Sequence, residues 1–176
     1  MTGVAYMEYE VKHLNELKVI GYLSKYATMQ DAQQNLPKAW QKFHESGEEQ
    51  TLSELSNHQL EGYLGVIVPT EAGMNYLIAV TSDNQFGSGL HPYALPQGDY
   101  MVVNAKGPVP ESIQQVCQKV FNPEFLASEG YHMAEGPAFE FYPHGDVTSS
   151  DYEAQVYVPV AVSYTHLRAH ETRHDL

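Results

Sequence analysis

Two stretches of this chain repeat one order of hydrophobic periodicities, and that repetition constrains the fold more than any single motif does. The first runs from KVIGYLSKYA (18–27), through a helical pattern near 31–45, to LEGYLGVIVP (60–69) and MNYLIAVT (74–81). The second runs from DYMVVNAKG (99–107), through a helical pattern from Pro110 to Phe121, to GPAFEFYP (136–143) and QVYVPV (155–160). Alternation with period two marks a strand with one buried face, and a period of 3.6 marks a helix with one apolar stripe. Each half therefore reads β-α-β-β, with YMEYEV as a short strand leading in. The expected class is α+β: duplicated β-α-β-β units forming one curved antiparallel sheet or partial barrel, with two helices and a cleft between the pseudo-symmetric halves.

The helical stripes are specific. Leu36, Ala39, Trp40 and Phe43 recur at i, i+3, i+4 and i+7. Pro37 fits only a first helical turn, so 31–36 is expected to form a separate turn or an irregular lead-in. In the second half Pro110 and Glu111 suit a helix start, and Ile113, Val116, Cys117, Val120 and Phe121 form the buried stripe. Cys117 inside that stripe reads as core, and Asn122-Pro123 ends the helix. SDNQFGSGLHPYALPQG (82–98) reads as a connection between halves at about 8–82 and 95–160, within one domain spanning 1–160.

Charge and cysteine content narrow the function classes. The net charge is -13, which opposes binding to a phosphate backbone and favours cationic partners, with plain solubility as the alternative reading. A single cysteine excludes an internal disulfide. The opening MTGVAYMEYEVKH has neither a basic n-region nor an apolar h-region, and no apolar run approaches the roughly 18 residues of a membrane span. The expectation is a cytoplasmic protein with no membrane and no nucleic acid as direct partner.

The last residues follow a different composition. Both arginines, Arg168 and Arg173, fall in the final nine residues, and His166, His170 and His174 lie in the same tail. His170-Glu-Thr-Arg-His174 matches H-E-x-x-H, a zinc-site pattern when carried on a helix. A catalytic zinc needs a third protein ligand and a closed cavity, and a terminal helix bearing His166 supplies no such cavity. The stretch 162–172 resembles the translation of a transposon-type sequencing adapter. The expectation is that 161–176 is a non-native tail without a metal, and that truncation at 161 changes no activity.

Several segments, taken in order, are similar to GyrI-like bacterial effector-binding domains of the kind found with AraC-type regulators. K-V-I-G-Y (18–22), L-P-K-A-W-Q-K-F (36–43) and L-P-Q-G-D-Y (95–100) resemble that family's opening strand, Trp-bearing helix and second-half strand. F-E-F-Y-P (139–143) with Q-V-Y-V-P-V (155–160) resembles its closing hairpin. G-P-V-P-E-S-I (107–113), with no DNA-binding region, looks most like the stand-alone, integron-associated branch. The resemblance implies a cleft that binds hydrophobic, drug-like cations, with a buried acidic residue on the last strand as counter-charge and no cofactor. Four residues before Pro159, where the family places glutamate, this chain has Gln155.

Two carboxylates are candidate replacements. Glu153 shares a strand face with Gln155 and Tyr157. Glu140, opposite in parity to Phe139 and Phe141, shares a face with Tyr142. Glu61 shares a face with Tyr63. For each, the alternative is a solvent-facing strand residue. There are 13 tyrosines, many on strands, and Tyr22, Tyr63 and Tyr100 join Trp40 as candidate ring contacts for a cation. The favoured function is a small-molecule-binding module for an amphipathic cation. The alternatives are a small-molecule hydrolase using Glu140 with Tyr142 or Tyr157 as acid–base pair, and a module that binds a protein partner, a regulator or gyrase. Gly87-Ser-Gly89 lacks the spacing of a nucleophile elbow.

Overall fold

A computed structural model describes residues 7–87 and 89–163. The first half contains β1 (Glu10–Leu14), β2 (Leu17–Tyr26), α1 (Met29–Glu45), α2 (Glu48–Leu55), β3 (Gly62–Pro69) and β4 (Met74–Thr81). The second contains β5 (His91–Leu95), β6 (Gly98–Lys106), α3 (Glu111–Val120), α4 (Pro123–Ser128), β7 (Tyr131–Met133), β8 (Ala138–Pro143) and β9 (Glu153–Val162). The H-E-x-x-H segment and Ser88 lie outside the described residues.

The duplication is visible in the strand order, β1-β6-β9-β8-β3-β4-β2-β5, with β7 added beside β9. Each half contributes a three-strand block, β6-β9-β8 or β2-β4-β3. The blocks join through an antiparallel β3–β8 pair in which Gly65 faces Glu140. The leading strands are exchanged: β1 pairs with β6 of the second half, and β5 pairs with β2 of the first.

The strand alternation sorts side chains onto two faces. One face carries Val19, Leu64, Val66, Leu77, Val102, Phe139 and Tyr157, and the strands curl around this cluster without a helix against it. The opposite face carries the helices in two groups. Phe43 of α1 and Leu52 of α2 pack on Ile20, Tyr76 and Ile78. Ile113 and Val120 of α3 and Leu126 of α4 pack on Met101, Val103 and Val156.

Four expectations are corrected. The helices number four among the described residues, because Gly47, at φ 84, turns the chain after α1 into the short α2. Asn122 likewise caps a new helix by accepting from the Glu124 N–H at 2.9 Å, so Pro123 starts α4 as well as ending α3. The 82–98 connection contains β5, whose His-Pro-Tyr-Ala-Leu is ordered by pairing with β2 rather than by its own propensity. Pro37 lies inside a continuous α1, not in its first turn. Thr28 caps that helix by accepting from Asp31 N–H at 3.0 Å, and buried Ala32 and Phe43 anchor it on both sides of the proline. β9 continues to Val162, beyond the expected domain end at 160, because Ala161 and Val162 pair with β7.

Candidate ligand cavity

A cavity of about 830 Å³ opens between α1 and α3, above the central β3–β8 pair. Its position follows from the duplication. Each half covers its own block with helices, and the seam between the blocks is left open. Leu36 and Trp40 form one wall and Ile113 and Cys117 the other, with Tyr63, Glu140 and Tyr142 on the sheet beneath.

Glu140 is the chemical centre of the cavity. Only 7% of its surface is exposed, although it is a carboxylate on a central strand. Tyr76 Oη donates to Glu140 Oε1 at 2.6 Å, and Tyr142 Oη donates to the same oxygen at 2.8 Å. Trp40 Nε1 donates to Tyr76 Oη at 3.2 Å, which fixes the phenol from behind. The second oxygen, Oε2, has one hydrogen-bond partner among the described residues, Cys117 Sγ at 4.0 Å.

Gly65 makes this arrangement sterically feasible. It sits across from Glu140, and a Cβ there would overlap the Tyr76 hydroxyl and lie 2.8 Å from Glu140 Oε1. The missing side chain is the channel through which Tyr76, from the next strand, reaches the carboxylate.

Burial and charge set the protonation states. Burial raises the Glu140 carboxyl above its ordinary range, and the bonds from Tyr76 and Tyr142 pull it partly back. Burial, reinforced by the Glu140 charge, pushes both phenols well above their ordinary range, so each remains a donor at neutral pH. The Cys117 thiol is raised by burial and then by the Glu140 charge, which makes it a poor nucleophile.

The rim is aromatic and polar. The His44 ring stacks on Trp40 at 6.0 Å, and its Nδ1 lies 3.0 Å from Glu49 Oε1. Burial alone would raise Glu49, but hydrogen bonds with His44 and Tyr63 hold it below its ordinary range. Tyr63 meets the His144 ring edge-on at 5.5 Å. Trp40 and Tyr142 rings meet edge-on at 5.2 Å, forming a corner above Glu140. Among the described residues no lysine or arginine lines the cavity.

The structure brings together Trp40, Tyr63, Glu140 and Tyr142 from the residues singled out in the sequence. Tyr22 lies on the same sheet face but packs edge-on against Phe43 at 6.5 Å, outside the cavity lining. Glu153, Gln155, Tyr157 and Tyr100 are not brought to this cavity. Tyr157 stacks on Phe139 at 4.4 Å in the helix-free core, and Tyr100 Oη donates to the Pro96 carbonyl at 2.9 Å. Gln155 accepts from Tyr157 at 3.0 Å and donates to Asn104 at 3.0 Å, while Glu153 is exposed opposite Lys106. The residues of β9 on the helix side are Ala154, Val156, Val158 and Val160. The buried carboxylate on the sheet beneath this cavity therefore comes from β8, not from the last strand, and Glu153 and Glu140 occupy opposite faces. Glu61 is exposed, 3.0 Å from His58 Nδ1 and 3.9 Å from His144 Nε2.

Tyr76, Gly65 and Cys117 were not identified as site residues from the sequence. Tyr76 was one strand tyrosine among several, and only the register opposite Ile67 places it beside Gly65. The one local signal was Gly65 itself, a glycine inside the apolar run Leu64–Val68, a pattern that marks close approach of other groups.

Residues 7–161 match a family model described as the GyrI-like small molecule binding domain. Among solved structures, SAV2435 bound to tetraphenylphosphonium is 32% identical with a TM-score of 0.78, covering 88% of this chain and 94% of that one. A putative bacterial transcription regulation protein from Staphylococcus aureus MU50 is 32% identical with a TM-score of 0.76, covering 88% of this chain and 99% of that one. The integron cassette protein VCH_CASS2 of Vibrio cholerae shares the fold at 16% identity and a TM-score of 0.62, covering 87% of this chain and 95% of that one. No curated protein matches this chain. No helix among the described residues is long and apolar enough to cross a membrane.

Proposed function

The chain belongs to the GyrI-like small molecule binding domain family, and from that premise we propose that its cavity binds lipophilic cations, with Glu140 as the counter-charge. The observation that carries the reading is a carboxylate, 7% exposed, in a cavity that no described lysine or arginine lines. A buried charge is ordinarily paired within the protein, because leaving it uncompensated costs several kcal/mol. Two phenols soften that cost here without supplying a positive charge. A ligand cation completes the pair.

The surroundings suit such a guest. Trp40 and Tyr142 present rings beside Glu140, and a desolvated cation gains about 2 kcal/mol over a ring of this kind. Binding of tetraphenylphosphonium by a relative of 32% identity supports the same ligand class. The overall charge of -13 concentrates cations near the surface before they reach the cavity. The module then senses or sequesters the cation in the cytoplasm, passing the signal to a regulator or another protein partner.

A hydrolytic use of the same site has one observation in its favour, a carboxyl raised by burial and hydrogen-bonded to Tyr142 in an accessible cavity. Saturable binding without consumption of the compound decides for the binding module. The test is Trp40 fluorescence of the full chain during titration with tetraphenylphosphonium and with a neutral triaryl compound of similar shape. Trp40 is the sole tryptophan and lies on the cavity wall, so quenching reports the site directly. Quenching by the cation that is lost in Glu140→Gln is expected; equal response to the neutral compound would remove the charge argument.

A further inference from the structure

We propose that this cavity distinguishes cations by the hydrogen on the charged atom, taking protonated amines and amidines in preference to quaternary ammonium or phosphonium ions. The proposal rests on the reading of the cavity as a cation site and adds to it the chemical class that fits best.

The asymmetry of the Glu140 carboxylate is the basis. A carboxylate accepts through both oxygens, with about four lone-pair positions in all. Both phenols, Tyr76 and Tyr142, converge on Oε1. Among the described residues Oε2 is left with the Cys117 thiol at 4.0 Å, a weak donor at the limit of a hydrogen bond. The side chain is more than nine-tenths buried, and what remains exposed of it faces the cavity, where a guest would meet Oε2. An acceptor to which the protein offers no strong donor is poorly satisfied by the protein itself, and a guest that donates to it adds a bond the fold does not supply.

Cations differ in their ability to do this. The charge of a quaternary nitrogen or phosphorus is wrapped in carbon, so such a guest offers Oε2 attraction and no hydrogen bond. A protonated amine or amidine offers the same charge with an N–H, and a charge-assisted bond results. Bonds of that kind contribute enough to change affinity by about ten- to a hundredfold. Lipophilicity works in the other direction, since an ammonium bearing an N–H is more strongly hydrated than its fully alkylated counterpart. A site that read only charge and apolar area would favour the quaternary ion. The sign of the preference therefore separates the two mechanisms.

The experiment compares a diphenylethyl dimethylamine with the trimethylammonium salt made from it by N-methylation. Both are titrated calorimetrically into the full chain at neutral pH, where the amine is protonated. About tenfold or greater preference for the amine is expected. In Glu140→Gln both compounds weaken and the preference collapses. In Cys117→Ala, which leaves both phenol bonds to Oε1 in place, the preference is retained or widened. Equal affinities in the wild-type protein, or tighter binding of the quaternary salt, would overturn the proposal while leaving the cation site intact, provided Glu140→Gln still weakened both. Loss of the preference in Cys117→Ala would also overturn it, since the thiol and not the bare oxygen would then be selecting. Failure of both compounds to bind would instead strike at the cation reading itself.

Discussion

Replacing Glu140 with glutamine should make the protein more stable at neutral pH even as it removes the proposed counter-charge. The reasoning starts from burial, which raises the folded-state carboxyl above its unfolded value of 4.5. A folded state that holds its proton more tightly is most stable, relative to the unfolded chain, below the unfolded value. That contribution is lost as pH rises from the unfolded value through the folded value, so at pH 7 the buried carboxyl is a liability. Glutamine keeps one oxygen for the Tyr76 and Tyr142 hydroxyls but gives up the charge assistance, about 1 kcal/mol for each bond. Its amide N–H₂ takes the place of Oε2, whose one hydrogen-bond partner among the described residues is the Cys117 thiol, so no strong described donor is opposed. Against that loss, removing an ion buried to this extent relieves several kcal/mol of desolvation. The balance is a gain of about 1–3 kcal/mol, and in a chain of this size each kcal/mol moves Tm by about 2–4 °C. Thermal melts followed by circular dichroism from pH 4 to 8 read it directly. The variant should melt higher at pH 7, and the gap should close towards pH 4 as the wild-type carboxyl takes up its proton. A variant that melts at or below the wild type at pH 7 would refute the argument, because the phenol bonds would then outweigh desolvation.

Two further expectations follow from the same geometry. Gly65→Ala should destabilise the fold by about 2–4 kcal/mol, the sum of overpacking and a displaced buried hydrogen bond. Adding Tyr76→Phe, which removes the obstructed hydroxyl, should recover much of that loss in a denaturant-melt double-mutant cycle. The affinity for a permanently charged cation should fall as pH is lowered through the raised Glu140 range, since protons compete for the same oxygens, and calorimetry at constant ionic strength should show no such fall in Glu140→Gln.

Much of the fold was legible because it is written in local periodicity. The period-two segments became β2, β3, β4, β6, β8 and β9, and the two apolar stripes became α1 and α3. The short elements were not legible, for a physical reason. β5 and β7 have little apolar alternation of their own and exist through pairing with β2 and β9. The candidate site was partly legible. Trp40 on the helical stripe and Tyr142 beside Glu140 follow from spacing within one element. What spacing within an element cannot supply is which face of β8 and which face of β9 look towards the helices. The two strands are separated by a turn through 144–152, and its length leaves their relative parity free. Register settles it: Phe139 lies opposite Tyr157 and Glu140 opposite Val156. Tyr76, two strands from Glu140, was beyond the reach of any one-strand argument.

The exchange of leading strands bears on how such a chain arose and how it can be taken apart. Each half lends its first strand to the other, so neither block has a finished edge by itself. Two copies of a single half would complete each other in the same manner, as an intertwined dimer with one ligand cavity on its twofold axis. Fusing the two copies head to tail makes that dimer a single chain and frees the halves to diverge, one keeping Gly65 and the other Glu140 at positions that face each other across the seam. A cut between β4 and β5 would return the molecule to two mutually dependent fragments, and recovery of the cavity on mixing them would report their reassembly.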